Sequence, residues 1–244
     1  MQSTCLGRIL ANTISTYSAK FYTLFMLERR PFNREEHIFR SPQLANLLKD
    51  AIRFFNGTPI YDLSSPEPFL GSGVYAIYYT GKDEIYAEIA QMNRLAYHLP
   101  IYVGKAIPAG GRRGMATEKE TNSLFKRLTE HAKSIGEVNN LQLSDFQCRF
   151  IVIPHDEDAL IAPIESAVIK QYNPLWNAKI DGFGNHDPGI GRYNQARSSW
   201  DIIHTGRKWA EKLKSIKGEQ TPTQILERIT EYNRQLKKGG TGDV

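Results

Sequence analysis

The sequence predicts an α+β domain, a small group of strands flanked by helices, with long insertions and extra helices towards both ends. Three observations lead there. Short runs rich in aromatic and β-branched residues stand at 73–79, 100–105 and 146–154. Segments around them carry apolar residues at helical spacing. Gly, Pro, Ser and Asn gather at the joins between the two kinds of segment.

From Ser41 to Phe55, the residues Leu44, Leu47, Leu48, Ile52 and Phe55 recur at helical spacing, and Gly57 and Pro59 end that helix. The Pro-, Ser- and Gly-rich TPIYDLSSPEPFLGSG then reads as a loop. GVYAIYY (73–79) reads as a strand, Ile85, Ile89, Met92 and Leu95 predict a helix, and PIYVGK (100–105) reads as a second strand. AIPAGGRRGMATEKETN is a loop by composition, and SLFKRLTEHAKSI (123–135) a helix with Asn122 or Ser123 available as its cap. FQCRFIVIP (146–154) is the third strand. PIESAVIKQY (163–172) is a helix with Pro163 in its first turn, stopped by Asn173-Pro174. DGFGNHDPGIGRY reads as a loop, either ordered and functional or disordered. Helices are expected over 199–216 and 223–236, followed by a loose tail. There is no internal repeat.

With 41% hydrophobic and 23% charged residues, 244 residues can bury a core without disulfides or structural metals. The two cysteines, Cys5 and Cys148, make neither a disulfide framework nor a zinc site, which fits a cytoplasmic protein. No apolar run is long enough to span a membrane, so no membrane association is expected. The formal charge of +5 suits an anionic partner but does not identify one. Residues 1–25 carry Arg8 and Lys20 but no clean apolar core or cleavage site; a start at Met26 or a disordered tail is expected rather than a targeting signal.

Side chains alternate along a strand, so Tyr75, Ile77 and Tyr79 share one face, and Tyr102 and Gly104 share a face of theirs. If the strands pair, Tyr75 and Tyr102 can meet. Any single strand tyrosine is more often packing than chemistry. Arg127 and His131 stand four apart on one helical face; Arg suits phosphate and His moves protons near neutrality. Lys126, Glu130 and Lys133 allow the same helix to be read as a solvated charged surface. Glu165 lies among Ile161, Ile164, Val168 and Ile169, where a carboxylate needs a cation or hydrogen bonds. A structural ion pair and a metal ligand are equally good readings of it.

Taken in order, Gly73-Val74-Tyr75, Tyr102-Val103-Gly104, Arg127-x-x-x-His131, the helical Glu165 and Asn177 resemble the GIY-YIG nuclease superfamily. Each short motif is weak alone; the ordered set is specific. The resemblance covers about residues 73–177 for the core. Compact members place their two motif tyrosines much closer together than the 27 positions separating Tyr75 and Tyr102. In that insertion the chain looks like the type II restriction endonucleases of the superfamily that cut CCGCGG. LLKDAIRFFNGTP, GVYAIYYTG, LPIYVGKAIPAG and PLWNAKIDGFGNHDPG carry this wider likeness, from about Phe32 to Lys217.

The resemblance implies a small three-stranded antiparallel sheet flanked by helices. It divides the chain into a flexible extension (1–32), an endonuclease domain with DNA-recognition insertions (33–217), and a C-terminal helix with a loose tail (218–244). It implies hydrolysis of double-stranded DNA at a short palindrome, with a single Mg²⁺, replaceable by Mn²⁺, held by Glu165. Tyr75 matches the family's general base; an ordinary tyrosine, with a pKa near ~10, is a poor one, so His131 either assists it or is itself the base. Arg127 would stabilise phosphate charge, Tyr102 would contact phosphate or water, and Asn177 would hold the site. Lys105, Arg112, Arg113, Asn185, His186, Arg192 and Gln195 are DNA-contact candidates. A palindromic site implies a homodimer, and a restriction enzyme implies a protecting DNA methyltransferase. The rival readings are a repair-type nuclease and a non-catalytic DNA-binding protein on the same fold. A metabolic enzyme of an anionic substrate would need a phosphate-cradling glycine loop or a cofactor motif, and the sequence has neither.

Overall fold

The computed structural model describes residues 31–64, 67–108 and 121–239. The chain divides into two units, residues 1–42 and 43–244. In the first, Asn33 caps a 3₁₀ turn over Arg34–His37 by accepting from the Glu35 amide at 3.2 Å. The predicted extension 1–32 lies, except for its last two residues, outside the described residues, and so do Arg112 and Arg113.

The second unit is built on an antiparallel sheet. Its strands are β1 (Tyr61–Asp62), β2 (Ser72–Tyr79), β3 (Tyr102–Ala106) and β4 (Phe146–Ile153), in the order β1-β4-β2-β3. The three long strands are those the sequence predicts. The fourth is a two-residue edge strand inside the stretch read as a loop, where Tyr61 pairs with Cys148. Strand β2 is central and buried along its whole length. Its alternating side chains feed two separate cores: Tyr75, Ile77 and Tyr79 face one, Val74, Ala76 and Tyr78 the other.

Helices α1 (Pro42–Gly57) and α4 (Ile161–Tyr172) supply the second core through Phe55, Ile161, Ile164 and Val168. The first core receives α2 (Ala87–Ala96), α3 (Ser123–Gly136), the single turn α5 (Leu175–Ala178), α6 (Ser199–Ile203) and α7 (Pro222–Gly239). Asn122 occupies the cap position of α3 without a capping bond from its side chain. Ser123 instead bonds Ser72 at 2.9 Å and ties the helix start to β2. Asn173 ends α4 in a left-handed conformation, its amide donating to the Ile169 carbonyl at 2.7 Å.

Two expectations need correction. The helix between β2 and β3 buries Ile89, Ala90 and Asn93, whereas Met92 and Leu95 are exposed. The helix expected over 199–216 stops at Ile203. Gly206 has φ +132° and passes close against the backbone of Glu137 and Val138, so the chain turns there.

The long insertion between the two motif strands does not separate them. Buried Asn93 donates to the carbonyls of Tyr79 (3.1 Å) and Leu99 (2.8 Å) and accepts from the Leu99 amide (2.9 Å). It thereby binds the end of β2 to the approach to β3. The inserted segment is held from behind by α7, through Asn233 to the Ile85 carbonyl and Lys237 to Glu88. No described helix is long and apolar enough to cross a membrane.

Candidate active site

Tyr75 lies opposite Gly104 in the β2–β3 register, and Tyr102 opposite Ile77. Both tyrosines therefore point to the same side of the sheet, with ring centroids 6.3 Å apart. Both motif glycines have steric reasons. A Cβ on Gly104 would overlap the Tyr75 hydroxyl and lie 2.6 Å from Tyr75 Cζ; a Cβ on Gly73 would strike the Ile151 carbonyl across the β2–β4 pairing.

Helix α3 brings two groups to these rings. Its buried face carries Leu124, Leu128, His131 and Ile135, so His131 lies in the core, not on a solvated surface. The Tyr75 hydroxyl and His131 Nε2 are 2.6 Å apart. One turn earlier, the Arg127 side chain is one-fifth exposed. It donates to Glu130 at 3.0 Å and to the Gly184 carbonyl at 2.9 Å, and bonds His186.

The electrostatics keep the pair neutral at rest. Burial pushes the Tyr75 phenol well above its ordinary range, and Tyr102 adds to that; the Arg127 charge works the other way. Burial holds His131 well below the ordinary histidine range, and Arg127 is the largest charge acting in the same direction. A neutral imidazole with a free Nε2 can accept the Tyr75 proton.

Glu165, on α4, forms an ion pair with Lys105 of β3. Lys105, a DNA-contact candidate, is thus paired with Glu165, which the sequence left open between an ion pair and a metal ligand. Glu165 is close enough to both tyrosines for its charge to raise them. Among the described residues no three His, Cys, Asp or Glu side chains cluster. A single ionisable carboxylate suits a hard cation that keeps most of its own waters and takes phosphate oxygen as a further ligand. In its donor chemistry, Glu165 fits such a metal ion.

Asn177, on α5, accepts from the Val103 amide and donates to the Val103 carbonyl, both at 2.8 Å. Its carboxamide continues the ladder at the sheet edge and holds β3, which carries Tyr102 and Gly104.

The glycine-dense loop after α5 is ordered across this site. Phe183 stacks on His131 at 4.6 Å, and Gly184 meets Arg127. Asn185, His186, Arg192 and Gln195, singled out as DNA-contact candidates, all line one open cleft of about 620 Å³ beside this loop. Sequence reasoning missed what braces the loop: Phe183 itself, and the Asp201–Arg207 pair behind it. No local signal marked the pair, because Arg207 meets the rings of Trp200 and Trp209 only in the folded chain.

The antiparallel sheet, the facing tyrosines and the Arg–His helix are together the arrangement that the GIY-YIG resemblance implies. A family model described as the Eco29kI GIY-YIG domain matches residues 67–233, and the chain belongs to that family of restriction-type nucleases. No curated protein matches the chain. Membership makes DNA the partner, and nucleases of this class generally use a divalent metal ion.

Proposed function

We propose that this chain is a type II restriction endonuclease that hydrolyses double-stranded DNA at a short palindrome, CCGCGG, as a homodimer with a single Mg²⁺ per active site. The observation that carries the reading is the hydrogen-bonded Tyr75–His131 pair, set beside Arg127, Tyr102 and the Glu165 carboxylate. Such a set can activate a water, bind a phosphate and hold a cation within one small space.

In the proposed reaction, Tyr102 and Arg127 bind the scissile phosphate. The attacking water gives a proton to the Tyr75 oxygen as the Tyr75 proton passes to His131 Nε2. The relay needs no resting phenolate, which the burial of Tyr75 opposes. It ends with an imidazolium, which burial first and the Arg127 charge second disfavour in the free protein. A phosphate bound to Arg127 offsets that charge, so substrate binding itself makes His131 a better proton acceptor. Water attacks phosphorus in line as the bond to the 3′ oxygen breaks.

Glu165 would hold Mg²⁺, with Mn²⁺ as a substitute, and its ion pair with Lys105 fixes where the carboxylate lies beforehand. When bound, the ion supplies Lewis-acid stabilisation of charge on the phosphate and the leaving oxygen. Asn177 keeps the edge strand in place.

Base reading falls to the cleft residues Asn185, His186, Arg192 and Gln195, with Arg112 and Arg113 from the basic loop; Arg and Asn side chains suit the edges of guanine and adenine. A two-fold palindrome calls for two copies of this chain, and cutting host DNA calls for a protecting methyltransferase. The test is digestion of unmethylated DNA of known sequence with Mg²⁺, followed by end sequencing. Ends mapping to CCGCGG support the full reading. Ends at another palindrome overturn the assigned site, and smeared products overturn the restriction enzyme in favour of a repair-type nuclease.

A further inference from the structure

Arg207 takes no part in the chemistry above, yet it is buried to 1% exposure. Its Nε lies 2.7 Å from Asp201, which is equally buried and in turn accepts from the Ser198 hydroxyl at 2.6 Å. The remaining donors go to main-chain carbonyls of one loop: Gly182 at 2.9 Å, Phe183 at 3.1 Å and Asn185 at 3.4 Å. The guanidinium is also flanked by the rings of Trp200 and Trp209, at 4.4 and 4.8 Å. Burying both charges is costly, and burial pushes each partner towards neutrality while their mutual attraction opposes it.

The loop so held is the one that touches the active site. Phe183 stacks on His131, and the Gly184 carbonyl accepts from Arg127. We propose that Arg207, locked by Asp201, is a positioning residue for the nuclease site: it holds the 182–185 backbone so that Phe183 and Gly184 orient His131 and Arg127. The proposal rests on the nuclease reading. Lysine cannot replace it, because a single ammonium cannot span a carboxylate and three carbonyls in the plane of a fork.

The test combines cleavage with a direct view of the site in the full chain. Arg207→Lys is compared with the native protein in single-turnover DNA cleavage, metal-free DNA binding and histidine ring NMR, each corrected for folded fraction by circular dichroism. Displacing Arg127 and His131 should slow single-turnover cleavage at saturating DNA about tenfold to a hundredfold, more than any weakening of metal-free binding explains. The effect should shrink in an Arg127→Lys background, because part of it acts through the Gly184–Arg127 contact; a general loss of folding would act equally in both backgrounds. If Arg207→Lys does not fold, Asp201→Asn, which removes the charge and keeps the shape, takes its place. Cleavage at the native rate with unchanged His131 resonances overturns the proposal. If the native chain cleaves no DNA, the nuclease reading fails separately. The clamp is then judged by NMR alone: moved His131 resonances in Arg207→Lys support it, and unmoved ones overturn it.

Discussion

The Tyr75 hydroxyl and His131 Nε2 lie 2.6 Å apart although the residues are 56 positions apart in sequence, one on the central strand and one on the helix packed over it. Removing the hydroxyl leaves the ring and its packing in place. Tyr75→Phe should therefore fold, with a stability change of about 1 kcal/mol, and lose roughly 10²–10⁴-fold in single-turnover cleavage. Thermal unfolding and a cleavage time course on the same preparation check both halves.

Gly104 is the steric partner of that arrangement. In Gly104→Ala the new methyl collides with the Tyr75 ring, on rigid strand backbone that cannot move far. The expected cost is about 1–3 kcal/mol of stability, with cleavage falling further than the loss of folded protein explains. Equal loss of both would mean that this motif glycine serves folding alone and does not position Tyr75.

Asn177 bonds β3 through both halves of its carboxamide. Asn177→Asp keeps the size but sets a carboxylate against the Val103 carbonyl. It should destabilise by about 2 kcal/mol or more, measured by denaturant titration, and lower cleavage by displacing Tyr102.

His131 and His204 are both buried and held below the ordinary histidine range, His204 down to about 3. Unfolded histidine takes up its proton near ~6.5, so below that pH the unfolded chain binds protons that the folded chain does not. Their contribution to stability is therefore present above pH ~6.5 and is lost as pH falls from there towards the folded values. Unfolding free energy should drop by about 1.4 kcal/mol per pH unit for each histidine in that window. His131→Gln should flatten the acid limb relative to the native chain, as read from unfolding curves at several pH values.

The sequence made the strands, the Arg127–His131 helical face and the ordered motif set legible, because each follows from a local period or a fixed spacing. What it could not show depended on distant segments meeting. Lys105 and Glu165 pair across 60 positions, so neither residue alone reveals the bond. The choice between a solvated and a buried face for α3 depended on which side met the sheet. Helical spacing over 199–216 concealed the turn at Gly206, and with it the burial of Arg207. Asn93 lies within an apparently amphipathic helix, and its bonding to both ends of the insertion becomes visible only once β2 and β3 are side by side.

A metal-dependent phosphodiesterase centre around Tyr75, His131, Arg127 and Glu165 is the central claim. Its most direct test is single-turnover cleavage of unmethylated duplex DNA by the native chain and by Glu165→Ala, with and without Mg²⁺, alongside metal-free DNA binding. The predicted result is discrete, Mg²⁺-dependent fragments from the native chain, and none from Glu165→Ala despite undiminished DNA binding. Native-like cleavage by Glu165→Ala, or DNA binding without cleavage by well-folded native protein, would contradict it.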